Sequence, residues 1–276
     1  MGEEERSATH GRMIAKPAKG QQSFGEHLRR WRERRRLSQL ELALQAEVST
    51  RHLSFVETGR ASPSREMVLH LAEHLEVPLR ERNELLLSAG YAPAYAETPV
   101  DAPPMGSVRE ALHAVLAAHE PFPTIIVDRH WNVVDANRAA GLFINQLPPD
   151  LAAPPVNVLR ASLHPRGLAA RIINLAEWRS HLLHRLRRQV EITFDAQLAA
   201  LYEELRAYST DAPEPALPEH PAVVVPLRLG HQAGELALFS MVSTCGTPSD
   251  ITVDELVIES FFPADEFTAS VLRKEA

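Results

Sequence analysis

Residues 38–60 decide the fold of the first quarter of the chain; they read Ser-Gln-Leu-Glu-Leu-Ala-Leu-Gln-Ala-Glu-Val-Ser-Thr-Arg-His-Leu-Ser-Phe-Val-Glu-Thr-Gly-Arg. Ser38 followed by Glu41 is a capping box, which predicts the start of one helix. Ser49 can cap a second helix, and Gly59 ends it because glycine adopts the left-handed turn most easily. Only residues 46–48 separate the two helices. So short a turn forces them to cross steeply, which predicts a helix-turn-helix unit.

The second of these helices has two chemically different faces. At 100° per residue, Leu53 and Val56 lie on the side that packs, while Thr50, Arg51 and Ser54 share another side. Arginine can donate two hydrogen bonds to a guanine edge, and hydroxyl groups suit phosphates or several bases. This face therefore indicates DNA binding. The alternative is a helical adaptor bundle that binds protein and no DNA.

Apolar spacing extends the helical region on both sides of this segment. Phe24, Leu28 and Trp31 form a stripe on an earlier helix, and two more helices follow over residues 64–75 and 79–87. The sequence from residue 23 to residue 90 is therefore predicted to be an all-α helix-turn-helix bundle, preceded by a flexible segment over residues 1–22.

Charge is distributed unevenly along the chain of 276 residues. The net charge is −7, yet residues 1–80 hold 14 Lys and Arg against 11 Glu. An arginine cluster precedes the capping box: it consists of Arg29, Arg30, Arg32, Arg34, Arg35 and Arg36. Local potential, rather than net charge, governs polyanion binding. The cluster fits either a solvated helix face or a surface that meets DNA.

The pattern Ser38-Gln39-x-x-Leu42-Ala43, continued by Val48-Ser49 and by residues 53–64, resembles the Cro/repressor-type helix-turn-helix of the XRE-like group. The resemblance implies a double-stranded DNA operator as partner and a structural role for Glu57. It also implies a homodimer, because two-fold proteins bind near-palindromic half-sites. The DNA-contacting set that it implies, with Arg60 on a phosphate, is Gln39, Ser49, Thr50, Arg51, Ser54 and Arg60.

The remainder of the chain is predicted to be a linker and a second domain. Residues 91–106 hold four prolines and few large aliphatic residues, which is typical of an extended linker. From residue 107 to residue 276, strands are predicted over 124–128, 131–135, 222–229, 235–243 and 255–262, with helices before and between them. Two strands, a helical insert and three strands predict an α+β domain in which helices cover an antiparallel sheet. That order is similar to a PAS domain.

Several segments of this domain look like the MmyB-like regulators, among them Trp131-Asn132, residues 157–160, residues 163–165 and the ending 258–265. These regulators join an XRE-type domain to a PAS-like ligand-binding domain. The resemblance implies a small-molecule effector, apolar or fatty-acid-like, with no cofactor required. The ligand-binding residues expected on this basis are Phe122, Trp131, Asn137, Phe143, Asn157, Arg160, Leu163, His164 and Trp178. The alternatives are a plain core for the aromatic residues, an Asp or Glu of the same domain as partner of Arg160, and a helix-capping role for His164. Asp250 to Glu259 are expected to form a solvated acidic edge.

The sequence lacks the features of several other classes of protein. A single cysteine, Cys245, excludes an intramolecular disulfide framework, and no apolar run suggests a membrane span. A cytoplasmic protein is expected. No nucleophile elbow, phosphate loop or dinucleotide fingerprint is present, so no catalytic residue is assigned and an enzyme built on the second domain remains only an alternative. The pairs His70–His74 and His181–His184 lack a complete zinc signature, and no metal ligand is assigned.

Overall fold

The computed structural model describes residues 23–208 and 225–275, and the chain divides into two units after Ala96. The predicted flexible segment 1–22 lies outside the described residues. The first unit is all-α. Its helices are α1 (Phe24–Arg34), α2 (Gln39–Gln45), α3 (Thr50–Glu57), α4 (Arg65–His74) and α5 (Leu79–Ser88).

Local signals set both ends of these helices. Serine side chains cap the first four helices at their amino ends, with complete capping boxes at Ser23 and Ser38. Each helix is followed by a left-handed residue, where the next backbone N–H reaches back to a helix carbonyl. These left-handed residues are Arg36, Glu47, Gly59, Glu76 and Gly90. The turn between α2 and α3 therefore closes on Glu47 and Val48, as the short spacing predicts.

The core of the first unit brings α1 very close to the end of α3. Leu28, Leu42 and Leu53 are fully buried between the helices. At Gly25, a Cβ atom would lie 2.3 Å from the carbonyl oxygen of Glu57 and 2.7 Å from that of Val56. Since both neighbours are backbone atoms, the absence of a side chain at residue 25 is what allows this approach.

We expect Gly25→Ala to destabilise the first unit. Overpacking of a tight contact typically costs about 1–3 kcal/mol, which outweighs the gain of up to about 1 kcal/mol from replacing a helical glycine. The matched control is Gly106→Ala, because a Cβ there meets nothing within 4 Å. Urea unfolding of the full chain, followed by circular dichroism, should show effects of opposite sign. Equal effects at the two positions would contradict the close approach.

The second unit is built on one antiparallel sheet. Its strands are β1 (Thr124–Val127), β2 (Val133–Ala136), β3 (Leu227–His231), β4 (Gly234–Thr244) and β5 (Val257–Pro263). Their order is β2-β1-β5-β4-β3, so the first and last strands in sequence pair at the centre. Ile125 lies opposite Glu259, and Phe239 lies opposite Phe262. The predicted fold class, an all-α bundle followed by an α+β domain with an antiparallel sheet, is confirmed.

Helices surround this sheet. They are α6 (Gly106–Ala118), α7 (Gly141–Ile144), α8 (Pro149–Ala152), α9 (Val158–Leu163), α10 (Leu175–Thr193), α11 (Ala196–Ala207), α12 (Ile251–Glu255) and α13 (Glu266–Glu275). One face of the sheet, including Ile125 and Phe261, packs on α9, α10 and α11 to form the main core. Ile126 packs instead with Leu112 and Leu116 of α6. Neighbouring residues of a strand thus serve opposite faces.

The structure corrects two sequence-based expectations. Strand β2 begins at Val133 rather than residue 131, because Trp131 adopts a left-handed conformation in a turn that is held by the Asp128 carboxylate. Residues 91–106 are not one extended linker. Tyr95 bonds with Asn83 of the first unit, whereas Thr98 donates to Asp250 of the second. Of the predicted strand 222–229, residues 222–224 lie outside the described residues.

Asp195 caps α11 and accepts hydrogen bonds from Arg129 and His130. Burial alone would raise the pKa of this carboxyl, but these contacts and the helix N–H groups lower it to about 2. A lowered carboxyl pKa stabilises the folded state above the unfolded pKa of about 3.9, and that stabilisation disappears as pH falls toward 2.

The free energy of unfolding should therefore differ between the wild-type chain and Asp195→Asn by its full amount at pH values of about 5 and above. The difference is expected to shrink steadily between pH values of about 4 and 2 as Asp195 becomes protonated. Urea titrations of both proteins at several pH values measure it. A difference that stays constant over this range would show that Asp195 does not titrate with a lowered pKa.

Candidate functional site

Helix α3 of the first unit carries polar side chains along one edge. Ser49 caps the helix by accepting from the backbone N–H of His52 at 3.0 Å, which still leaves its hydroxyl proton available. Arg51 is exposed, and its guanidinium lies 5.4 Å from the centre of the Phe55 ring. Thr50 and Ser54 are half-buried beside it. The structure thus places these four predicted residues on one helix, as the spacing requires.

A buried ion pair fixes this helix on its neighbours. Glu57, the last residue of α3, accepts two hydrogen bonds from Arg32 of α1, at 2.6 and 3.0 Å. It also accepts one at 2.7 Å from the side-chain amide of Gln39. Arg32 in turn donates to the carbonyl of Leu37. Glu57 therefore ties α1, α2 and α3 together, and Gln39 is held by this contact at the first turn of α2.

Several side chains of the arginine cluster before α2 form ion pairs or hydrogen bonds within the first unit. Arg29 pairs with Glu33 one turn away, and Arg32 is buried on Glu57. Arg35 donates to the carbonyl groups of Leu75 and Glu76 at the end of α4. Arg32 and Arg35 thus stabilise helix packing and a helix end, whereas the Arg29 pair is exposed. The cluster is therefore neither a purely solvated face nor purely a DNA surface. Arg60, in contrast, lies exposed just after Gly59.

We expect Glu57→Ala to destabilise the first unit by about 3–5 kcal/mol, because it leaves the Arg32 guanidinium buried and unpaired. The matched control is Glu33→Ala, which removes an exposed glutamate that pairs with Arg29 within α1. Urea unfolding of the full chain should show a large loss for the first variant and little change for the second. Similar losses for both would contradict a special role for the buried pair.

The second unit encloses a small apolar cavity between the sheet and helices α7, α9 and α10. Its volume is about 60 Å³. Aromatic side chains form much of its wall: Trp131, Phe143, Trp178 and Phe261. Phe143 and Phe261 meet edge to face at 4.8 Å. A wall of apolar and aromatic groups with few polar atoms is the lining found in small-molecule sites, but this volume is below their usual range of roughly 300–1,000 Å³.

One polar corner interrupts this wall. Glu259 lines the cavity, with its side chain 6% exposed, and Arg185 donates to both of its oxygens at 3.2 and 3.3 Å. The Arg185 guanidinium also lies 4.4 Å from the Trp131 ring centre. His181 stacks on Trp178, and burial followed by the charge of Arg185 lowers its pKa. Both effects favour the neutral form of the imidazole.

Glu259 is a correction to the sequence analysis, which assigned residues 250–259 to a solvated edge. Strand β5 turns Val257, Glu259 and Phe261 toward the same face, since side chains alternate along a strand. The alternation of large apolar residues around Glu259 was the signal that could have placed it inside.

Three of the predicted ligand-binding residues, Trp131, Phe143 and Trp178, line this cavity. Leu163 is buried in the same core but outside the lining. Phe122 is also outside the lining: it packs against the edge of the same core, and its ring centre lies 5.9 Å from that of Phe262. The structure thus places the predicted apolar residues in one core, and three of them line the cavity.

The predicted polar ligand residues have partners within the fold. Asn137 caps the short helical turn at residues 138–140, and Asn157 caps α9. Asn157 also donates to the carbonyl of His130. Arg160 forms two hydrogen bonds of 2.8 Å with Glu204, and His164 accepts from the backbone N–H of Arg166. Asn157 and Arg160 border a separate polar cleft of about 310 Å³. Burial and Glu204 raise the pKa of neighbouring Tyr208 to about 12.

The histidine pairs make other contacts. His70 lies 2.8 Å from the carbonyl of Ala46 and meets His74 edge to face. Over residues 23–208 and 225–275, no group of three or more His, Cys, Asp or Glu side chains is arranged to hold a metal ion. In the same ranges, the helices are too short or too polar to cross a membrane.

Comparison with known proteins agrees with this architecture. A helix-turn-helix domain model matches residues 23–85, and the model of the MmyB-like transcription regulator ligand binding domain matches residues 108–274. These two matches define a DNA-binding transcription regulator with a ligand-binding domain. The chain belongs to the MmyB-like transcription regulators.

Among solved structures, the chain is similar to an RNA-binding Light-Oxygen-Voltage receptor, with 13% sequence identity and a TM-score of 0.25. The alignment covers 92% of this chain and 61% of that protein. None of the curated proteins compared with the chain matches it.

Proposed function

We propose that this protein is a sequence-specific transcription regulator of the XRE type, whose PAS-like second domain senses a small, mainly apolar molecule. The observation that carries the DNA-binding part is the edge of α3, where Thr50, Arg51 and Ser54 lie beside one another while Leu53 and Val56 are buried. A helix with this division can enter the major groove without disturbing its own packing.

In this proposal Arg51 reads a base and the hydroxyl groups of Ser49, Thr50 and Ser54 meet bases or phosphates. Gln39 contributes its free side-chain oxygen, because only its amide nitrogen is bonded to Glu57. Arg60 meets a phosphate. A single recognition helix reads only a few base pairs, so the protein acts as a homodimer on a two-fold operator. We place it in the cytoplasm.

The apolar cavity of the second unit is the proposed effector site. Its aromatic wall suits an apolar chain of the kind that fatty-acid-like molecules carry, and Trp131, Phe143 and Trp178 would contact it. Occupation of the cavity would shift the population of dimers that fit the operator, provided that the ligand binds one conformation better. Regulation, rather than catalysis, is the proposed role.

We expect Arg51→Ala to weaken binding to a selected operator by about 1–3 kcal/mol, while binding to random DNA falls much less. The operator is first enriched from a random DNA pool with the full-length protein, and affinities are then measured by fluorescence anisotropy. The control is Arg273→Ala, which removes an exposed arginine from the second unit. Equal losses on operator and random DNA would show that Arg51 contacts a phosphate instead.

The same assay separates the proposal from a protein-binding bundle. Affinity for DNA should fall steeply as salt rises, because phosphate contacts release counterions. If no DNA sequence is enriched and weak binding persists without salt dependence, the DNA-binding proposal is wrong.

A further inference from the structure

Phe55 is an aromatic residue of α3 whose side chain lies outside the core. At about 100° per residue, Phe55 and Arg51 are on the side of α3 opposite the buried Leu53, Val56 and Glu57. In the described part of the chain, Phe55 is half-buried and belongs neither to the apolar core of the first unit nor to the residues packed against it. Its ring therefore shares the outward face of α3 with the arginine that the proposed function assigns to a base.

The guanidinium of Arg51 lies over this ring. Its central carbon is 5.4 Å from the ring centre, within the distance of about 6 Å at which a cation and an aromatic face attract each other. In the parts of the chain that the structure describes, Arg51 makes no hydrogen bond or ion pair. The ring thus occupies the face of the guanidinium, while the N–H groups along its edge remain available to a base. Because the side chain is already held, less rotamer freedom is lost on binding.

The ring of Phe55 suits one feature of the major groove. Thymine presents a C5-methyl group there, and apolar side chains such as phenylalanine contact it. Phenylalanine has no hydrogen-bonding group, so this methyl group is the feature by which its ring can distinguish a base. Arginine pairs with the N7 and O6 atoms of guanine in the same groove. Arg51 and Phe55 together therefore match a guanine that has a thymine close by.

We propose that Phe55 is a specificity-determining residue of the DNA site, where its ring positions Arg51 for guanine and contacts the methyl group of a nearby thymine. This inference rests on the proposed entry of α3 into the major groove, and it adds a second base to the one that Arg51 reads. Successive bases are about 3.4 Å apart along a strand. Since the guanidinium and the ring centre are 5.4 Å apart, the thymine lies one or two base pairs from the guanine.

Uracil is the sharpest probe of this contact, because it pairs as thymine does and lacks only the methyl group. The operator that the full-length protein enriches from a random pool is remade with each thymine of one half-site replaced in turn by uracil. Fluorescence anisotropy then gives Kd values for the wild type, for Phe55→Ala and for the matched control Phe267→Ala. Phe267 is a 48% exposed phenylalanine of α13 in the second unit, so its removal should not affect base reading.

We expect the uracil effect at one thymine, located one or two base pairs from the guanine that Arg51 reads. That guanine is the position at which Arg51→Ala no longer discriminates against other bases. Replacing the thymine by uracil should weaken binding by the wild type and by Phe267→Ala about fourfold, which corresponds to the burial of one methyl group. Phe55→Ala should bind the thymine and uracil operators equally.

A second variant tests the positioning of Arg51. Phe55→Leu keeps an apolar side chain for the methyl group but offers no aromatic face to the guanidinium. The uracil effect should therefore persist. Arg51→Ala should cost less operator affinity in the Phe55→Leu background than in the wild type, because the two side chains are coupled only when the ring is present. Circular dichroism confirms that each variant is folded.

Other results overturn the inference while leaving the proposed function intact. If the wild type shows no uracil effect near that guanine, or if the effect persists in Phe55→Ala, the ring does not contact thymine. If Arg51→Ala costs the same in both backgrounds, the ring does not position Arg51. Should Phe55→Ala fail to fold, the uracil scan of the wild type and the Phe55→Leu comparison still decide. If no operator is enriched at all, the DNA-binding proposal and this inference fail together.

Discussion

The first unit depends on one buried ion pair. Glu57 closes α3 and holds Arg32 of α1 and Gln39 of α2 at the same time, so the steep crossing of α2 and α3 is fixed by charge as well as by the short turn. A guanidinium can stay buried only if its donors are satisfied. Separating α1 from α3 would leave Arg32 and Glu57 buried without their partners, which is strongly destabilising.

In the second unit, side chains that alternate along strand β5 serve the two faces of the sheet. Glu259 and Phe261 line the cavity, while Phe262 joins an aromatic cluster with Phe122 and Phe239 on the other face. One short strand thereby supplies a polar corner to the cavity and an apolar surface to the opposite layer.

Sequence reasoning succeeded where the determining contacts are local. Capping boxes, left-handed helix ends and apolar stripes act over three to five residues, and they correctly predicted the helices of the first unit. The structural role of Glu57 followed from the family resemblance, since its partner Arg32 is 25 residues away. The partners of polar residues in the second unit could not be predicted in this way, because they are distant in sequence. Arg160 pairs with Glu204, 44 residues away, and Arg185 pairs with Glu259, 74 residues away. Local sequence patterns do not predict such long-range pairs.

The amino-acid sequence by itself determined that an all-α helix-turn-helix bundle precedes an α+β domain, and which edge of α3 is polar, because helix periodicity and capping are properties of short segments. Only the tertiary structure decided which arginines are consumed inside the fold and which aromatic residues enclose a cavity. It alone placed Glu259 inside. The physical reason is that burial and charge pairing depend on residues far apart in sequence, which meet only when the sheet and its helices pack together.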